Sequence, residues 1–97
     1  MVQHIVMFKF RADVPDALRS EAAAQFKAGI EALPAVIPFI REVKVGLNLN
    51  PAELWDICLT SRFDTLDDVK AYSVHPAHKA VASALMQHIA ERACVDF

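Results

Sequence analysis

The sequence predicts an α+β domain with its elements in the order β-α-β-β-α-β. Apolar and polar residues alternate in four separate stretches, and two longer stretches instead repeat apolar residues at helical spacing. Proline-containing breaks punctuate the pattern at Pro34, Pro51 and Pro76.

From Val2 to Phe10 the even positions Val2, His4, Val6, Phe8 and Phe10 form one strongly apolar face, with Gln3, Ile5, Met7 and Lys9 on the other. That is a first strand. Pro15 and Asp16 open a helix in which Leu18, Ala22, Phe26, Ile30 and Leu33 recur every three or four residues until Pro34 ends it. Val43, Val45, Leu47 and Leu49 share one parity in a second strand between Ile40 and Leu49. The segment NLNPAE then turns the chain, and Trp55, Ile57, Leu59, Ser61 and Phe63 alternate through a third strand, so the two are expected to form a hairpin with Trp55 and Phe63 in the core.

Thr65 is placed to cap a short second helix, with Asp67 and Asp68 in its first turn where carboxylates suit the helix dipole. His75 precedes Pro76 and is driven out of helical geometry, while Pro76 suits the first turn of a further helix striped by His78, Val81, Ala82, Leu85 and Ile89. ERACVDF closes the chain as a fourth strand. The whole of residues 1–97 thus reads as a single domain of the ferredoxin-like, or split βαβ, arrangement. Its helices cover one face of the sheet. With 55% hydrophobic residues to accommodate, the uncovered face is expected to pack against a second copy, giving a homodimeric α/β barrel.

Charge narrows the partners. A net charge of −2, with Lys and Arg scattered, offers no stripe for a nucleic-acid backbone. No apolar run approaches the roughly 20 residues of a membrane span, and the opening MVQHIVMFKF lacks a basic start and a cleavage site, so a cytoplasmic location is expected. Cys58 and Cys94 fall in different strands without metal-motif spacing and are expected to be reduced, partly buried thiols. Gly29 and Gly46 are the only glycines, which leaves no phosphate-cradling loop, and nothing calls for a cofactor.

The candidate site comes from the segment AYSVHPAHKAV, residues 71–81, which gathers the only tyrosine and two of the four histidines around a proline. His78 lies on the inward stripe of its helix, and His4 lies on the inward face of the first strand. Tyr72 and His75 flank the same junction, while Ser73 reads as a helix-end residue and His88 as surface. Imidazole can take a proton at neutral pH and a phenol remains protonated, so His78 as base and Tyr72 as oxyanion donor, with His4 and His75 orienting, suit proton abstraction beside a carbonyl. Val6, Phe8, Phe26, Ile57 and Leu59 are the expected lining. The plainer expectation is a binding domain for a small apolar ligand, with the histidines as packing or hydrogen-bonding groups.

HIVMFKF, LPAV, SRFDTLDDVKAYSVHPAH and the final VDF resemble the stress-responsive dimeric α/β-barrel (Dabb) family over nearly the whole chain. The resemblance implies a ferredoxin-like subunit, a homodimeric barrel and, for most members, an unsettled role. Plant polyketide cyclases of the family close a poly-β-keto chain by an aldol reaction. By resemblance to them His78 corresponds to the catalytic histidine, Tyr72 to the supporting tyrosine and His4 to the strand-one histidine, and His75 also has a counterpart. Phe26 and Ile57 stand where those cyclases carry tyrosine and histidine, which implies a less polar pocket here.

Overall fold

Alternation in the first strand decides which face of the sheet is covered. In the computed structural model, which describes all residues 1–97, β1 runs Val2–Phe10 and buries His4, Val6, Phe8 and Phe10. Then follow α1 (Asp16–Glu31) with a 3₁₀ turn at Leu33–Ala35, β2 (Glu42–Leu47), β3 (Ile57–Phe63), α2 (Leu66–Val74), α3 (Pro76–Met86) and β4 (Ile89–Asp96). The sheet is antiparallel throughout, in the order β2-β3-β1-β4. This is the expected ferredoxin-like α+β architecture.

The core lies between the inward face of the sheet and the helices, with Ile30, Ile37, Val45, Phe63 and Tyr72 wholly buried. Gly29 fixes how closely α1 approaches α3. A Cβ there would stand 2.9 Å from Val81 Cγ1, so only glycine permits the contact. Lys27 Nζ donates to the Val45 carbonyl at 2.7 Å, and Glu31 Oε2 accepts from the Val45 N–H at 3.0 Å, which ties α1 to edge strand β2. Thr65 caps α2 through its hydroxyl, which accepts from Asp68 N–H. No helix is long and apolar enough to cross a membrane.

Four expectations need correction. Leu49 lies beyond the end of β2 and is almost fully exposed, because pairing with β3 stops at Leu47 opposite Ile57. Trp55 precedes β3 and is half-buried at its rim rather than in the core. Ile89 belongs to β4, not to α3: the helix ends at Met86, and a bulge after Lys9 sets Ile89 opposite Phe10. Cys94 shares the helix-covered face with its neighbour Val6, yet it is exposed because β4 is an edge strand that the helices do not reach across.

The opposite face is free of helices. Register places Met7 between Cys58 and Ala93, and Ile5 between Thr60 and Val95. Ion pairs of Lys9 with Glu91 and Arg62 with Glu42 border this apolar centre.

Candidate functional site

His4 and His78 come from opposite ends of the chain and line one cavity. His4 is buried in the middle layer of the domain, 5% exposed, because strand alternation turns it under the helices. Antiparallel pairing of β1 with β4 sets Asp96 directly opposite it, and His4 Nδ1 meets Asp96 Oδ1 at 2.5 Å. A carboxylate only accepts, so Nδ1 carries the proton of this bond. Ser61 Oγ donates to the His4 carbonyl and steadies the backbone behind the ring.

His78 owes its place to the break between α2 and α3. His75 adopts extended backbone, φ −64° and ψ 133°, and Pro76 restarts the helix so that His78 comes one turn later. The Ser73 carbonyl, left at the end of α2, lies 3.2 Å from His78 Nδ1. A carbonyl can only accept, so Nδ1 is again the protonated nitrogen and Nε2 the acceptor. Burial holds the His78 imidazole below its usual pKa, with positive charge at His4, Arg92 and His75 acting in the same direction and the Ser73 hydrogen bond against it. At neutral pH His78 is therefore an uncharged base.

The cavity has a volume of about 140 Å³. His4, Val6 and Phe8 of β1, Phe26 of α1 and Leu59 of β3 line it on the sheet side. Ser73, His78, Ala82 and Met86 close it from the helices, and Arg92 of β4 completes it. Three larger hollows, of about 220, 550 and 180 Å³, lie between α1 and α3, beside Trp55 and around Arg62. None contains His4 or His78.

Of the expected lining residues, Ile57 is the exception. It sits in the core opposite Phe8 and Leu47 and does not line the cavity. His75 is not in the wall either, since its Nδ1 accepts from Ala77 N–H and caps α3. Tyr72 is wholly buried beside the wall, its ring 4.3 Å from that of His78 and 6.2 Å from that of His4. Its hydroxyl has no hydrogen-bond partner, and burial pushes its pKa far up, so it stays a neutral donor. His88, expected at the surface, is half-buried between α3 and β4, with its carbonyl accepting from Arg11 N–H.

Sequence reasoning missed Asp96 and Arg92. The signal was present: an antiparallel first and last strand pair puts the start of one opposite the end of the other, and Arg92, Cys94 and Asp96 share one parity. Nδ1 of His4, Sγ of Cys94 and a carboxylate oxygen of Asp96 lie within 4.8 Å of one another, a mixed donor set that could hold a metal ion. Residue 4 is too far from 94 and 96 in sequence for any spacing motif to reveal it.

A four-stranded antiparallel sheet covered on one face by helices defines the class, a ferredoxin-like α+β domain. The chain belongs to the stress-responsive A/B barrel domain family, whose model matches residues 2–97. It is similar to a dimeric protein of unknown function with a ferredoxin-like fold from Bacteroides fragilis, 52% identical, with 99% of this chain and 93% of that one covered and a TM-score of 0.97. A dimeric ferredoxin-like protein of unknown function from Thermobifida fusca is 27% identical over 99% of this chain and 88% of that one, with a TM-score of 0.81. The fold is also that of a hydroxynitrile lyase from Passiflora edulis, 18% identical over 99% of this chain and 90% of that one, TM-score 0.73. No curated protein matches the chain.

The depressed pKa of His78 has a consequence for stability. Folding favours its neutral form, so this contribution is fully present above the unfolded value of 6.5 and is lost as pH falls through the lower folded value. The melting temperature is expected to fall more steeply between pH 7 and 5 in the wild type than in His78→Gln. Equal slopes in a pH series of thermal melts would show that His78 does not carry the effect.

Proposed function

We propose that the protein is a homodimer that binds a small, largely apolar ligand in the cavity between the sheet and α3. The cavity carries this reading: an apolar wall interrupted by a few convergent polar groups is the common form of a small-molecule site. Dimer formation is supported by the helix-free face, with its apolar centre and charged border, and by the 52% identical protein described as dimeric. A cytoplasmic location accords with this reading.

One observation favours a second reading, in which the same site performs chemistry. His78 leaves its Nε2 free to accept and is held neutral, as suits a base that removes a proton beside a ligand carbonyl. The C–H proton passes to His78 Nε2, and the electron pair moves onto the carbonyl oxygen as an enolate. The Tyr72 hydroxyl is the nearby neutral donor, and His4, backed by Asp96, orients the ligand. A cyclase, isomerase or lyase acting on a β-keto compound without a cofactor would share this step.

A panel of small lactones, β-keto thioesters and aromatic acids, screened by thermal shift, tests the binding reading. A member present at a hundredfold excess over its Kd adds about 2.7 kcal/mol to stability, and Ala82→Leu, which fills the cavity, is expected to abolish that shift. No shift in the wild type, or an equal shift in Ala82→Leu, would place binding elsewhere. Deuterium exchange at the α-carbon of a bound ketone, present in the wild type and lost in His78→Ala, separates chemistry from binding.

A further inference from the structure

We infer that Arg92 is an anion anchor at the cavity, and that the ligand is a small organic acid with a carboxylate at one end of a compact apolar body. This rests on the cavity being the ligand site and goes beyond it by naming the ligand's chemistry.

Arg92 faces the cavity because β4 pairs with β1: it stands directly opposite Phe8 on the helix-covered face. The other four arginines are all engaged. Arg11 pairs with Asp13, Arg41 with Asp64 and Arg62 with Glu42, while Arg19 donates to the carbonyls of Val14 and Arg11. Arg92 alone makes neither an ion pair nor a hydrogen bond, and it borders a cavity whose other walls are mostly apolar. The acidic groups near it are already committed. Asp96, on the same face of β4, is bonded to His4, and Glu91 pairs with Lys9 on the opposite face.

The guanidinium offers a planar fork that matches a carboxylate, and such charge-assisted bonds are stronger than neutral ones. Arg92 is exposed, as are Ser73 and Met86, so the cavity opens where the helices meet β4. An acid enters there with its charge still in water and its apolar part directed toward Phe8, Phe26 and Leu59. Size sets the rest. An apolar cavity of about 150 Å³ takes up benzene, so the buried part of the ligand has on the order of six heavy atoms. The cavity does not enclose a long polyketide chain, and a short keto acid or aromatic acid fits.

The test uses charged and neutral partners of one shape: hexanoate with hexanamide, and benzoate with benzamide. Each is titrated into the dimeric wild type and into Arg92→Met, with amide resonances of Val6 and Leu59 followed by NMR to locate the site. The wild type is expected to hold the acids roughly ten- to a hundredfold more tightly than the amides. Arg92→Met is expected to lose that preference and bind the amides as before, with an unchanged melting temperature because Arg92 holds nothing else. Amides that bind at Val6 and Leu59 as well as the acids do would overturn the anchor while leaving the cavity reading intact, as would a preference that survives in Arg92→Met. If neither acids nor amides perturb the cavity resonances, the site itself fails and the anchor with it.

Discussion

Met7→Lys is expected to turn the proposed dimer into a folded monomer. Met7 occupies the middle strand of the helix-free face, flanked by Cys58 and Ala93, and β1 lies between β3 and β4. If two copies meet through that face, each buries a new ammonium with no partner of opposite sign, at a cost of about 3–5 kcal/mol per copy. With one substitution in each copy, the dissociation constant rises by roughly 10⁴- to 10⁷-fold. A rim substitution such as Lys9→Gln loses only a surface ion pair with Glu91 and is expected to leave the dimer nearly unchanged. Light scattering across a dilution series measures both, and circular dichroism checks the fold. A Met7→Lys protein that remains dimeric would move the interface to another surface.

That expectation depends on a feature the sequence displays openly. Strand alternation alone identifies His4, Val6, Phe8 and Phe10 as inward and Ile5 and Met7 as outward, because a side-chain period of two leaves no other assignment once one face is apolar. The helices were equally legible: Pro15, Pro34, Thr65 and Pro76 mark ends by mechanisms that act within a few residues. Less legible was where pairing stops. Leu49 and Trp55 continue the alternation of their strands, but a hairpin connection takes them out of register, and alternation by itself does not report a partner. Ile89 continues the helical stripe of α3 in the same misleading way, until the bulge beside Lys9 claims it for β4.

The site divides along the same line. His4 and His78 could be read from their own elements, each from a local periodicity. Asp96 and Arg92 could not, because what makes them functional candidates is the pairing of β4 with β1 across nearly the whole chain. His75 shows the converse. Its position before Pro76 looked like a place in the pocket, yet the same local geometry turns its ring back onto the Ala77 N–H as a cap. A histidine beside a helix start has a backbone donor within reach, and that competing bond takes the side chain out of the site.

Tyr72→Phe is expected to make the protein more stable. The Tyr72 ring fills the core between His4, Phe63 and His78, and its hydroxyl is buried without a partner. An unsatisfied buried polar group costs about 1–3 kcal/mol, and phenylalanine removes it while keeping the ring. For a domain of this size each kcal/mol corresponds to roughly 4–8 °C in melting temperature. Tyr72→Ala, which also empties the ring's volume, is expected to lose about 3–5 kcal/mol. A phenylalanine variant that melts at or below the wild-type temperature would show that the hydroxyl has a partner. If the second reading of the site holds, the gain has a functional counterpart, because a donor kept waiting for an enolate oxygen has nothing to bond in the resting protein. Losing such a donor slows the chemical step by roughly 10²- to 10³-fold. A variant that is more stable and slower in α-carbon exchange marks the hydroxyl as stored for the reaction, whereas one that is more stable with unchanged exchange takes Tyr72 out of the chemistry and leaves its ring as core.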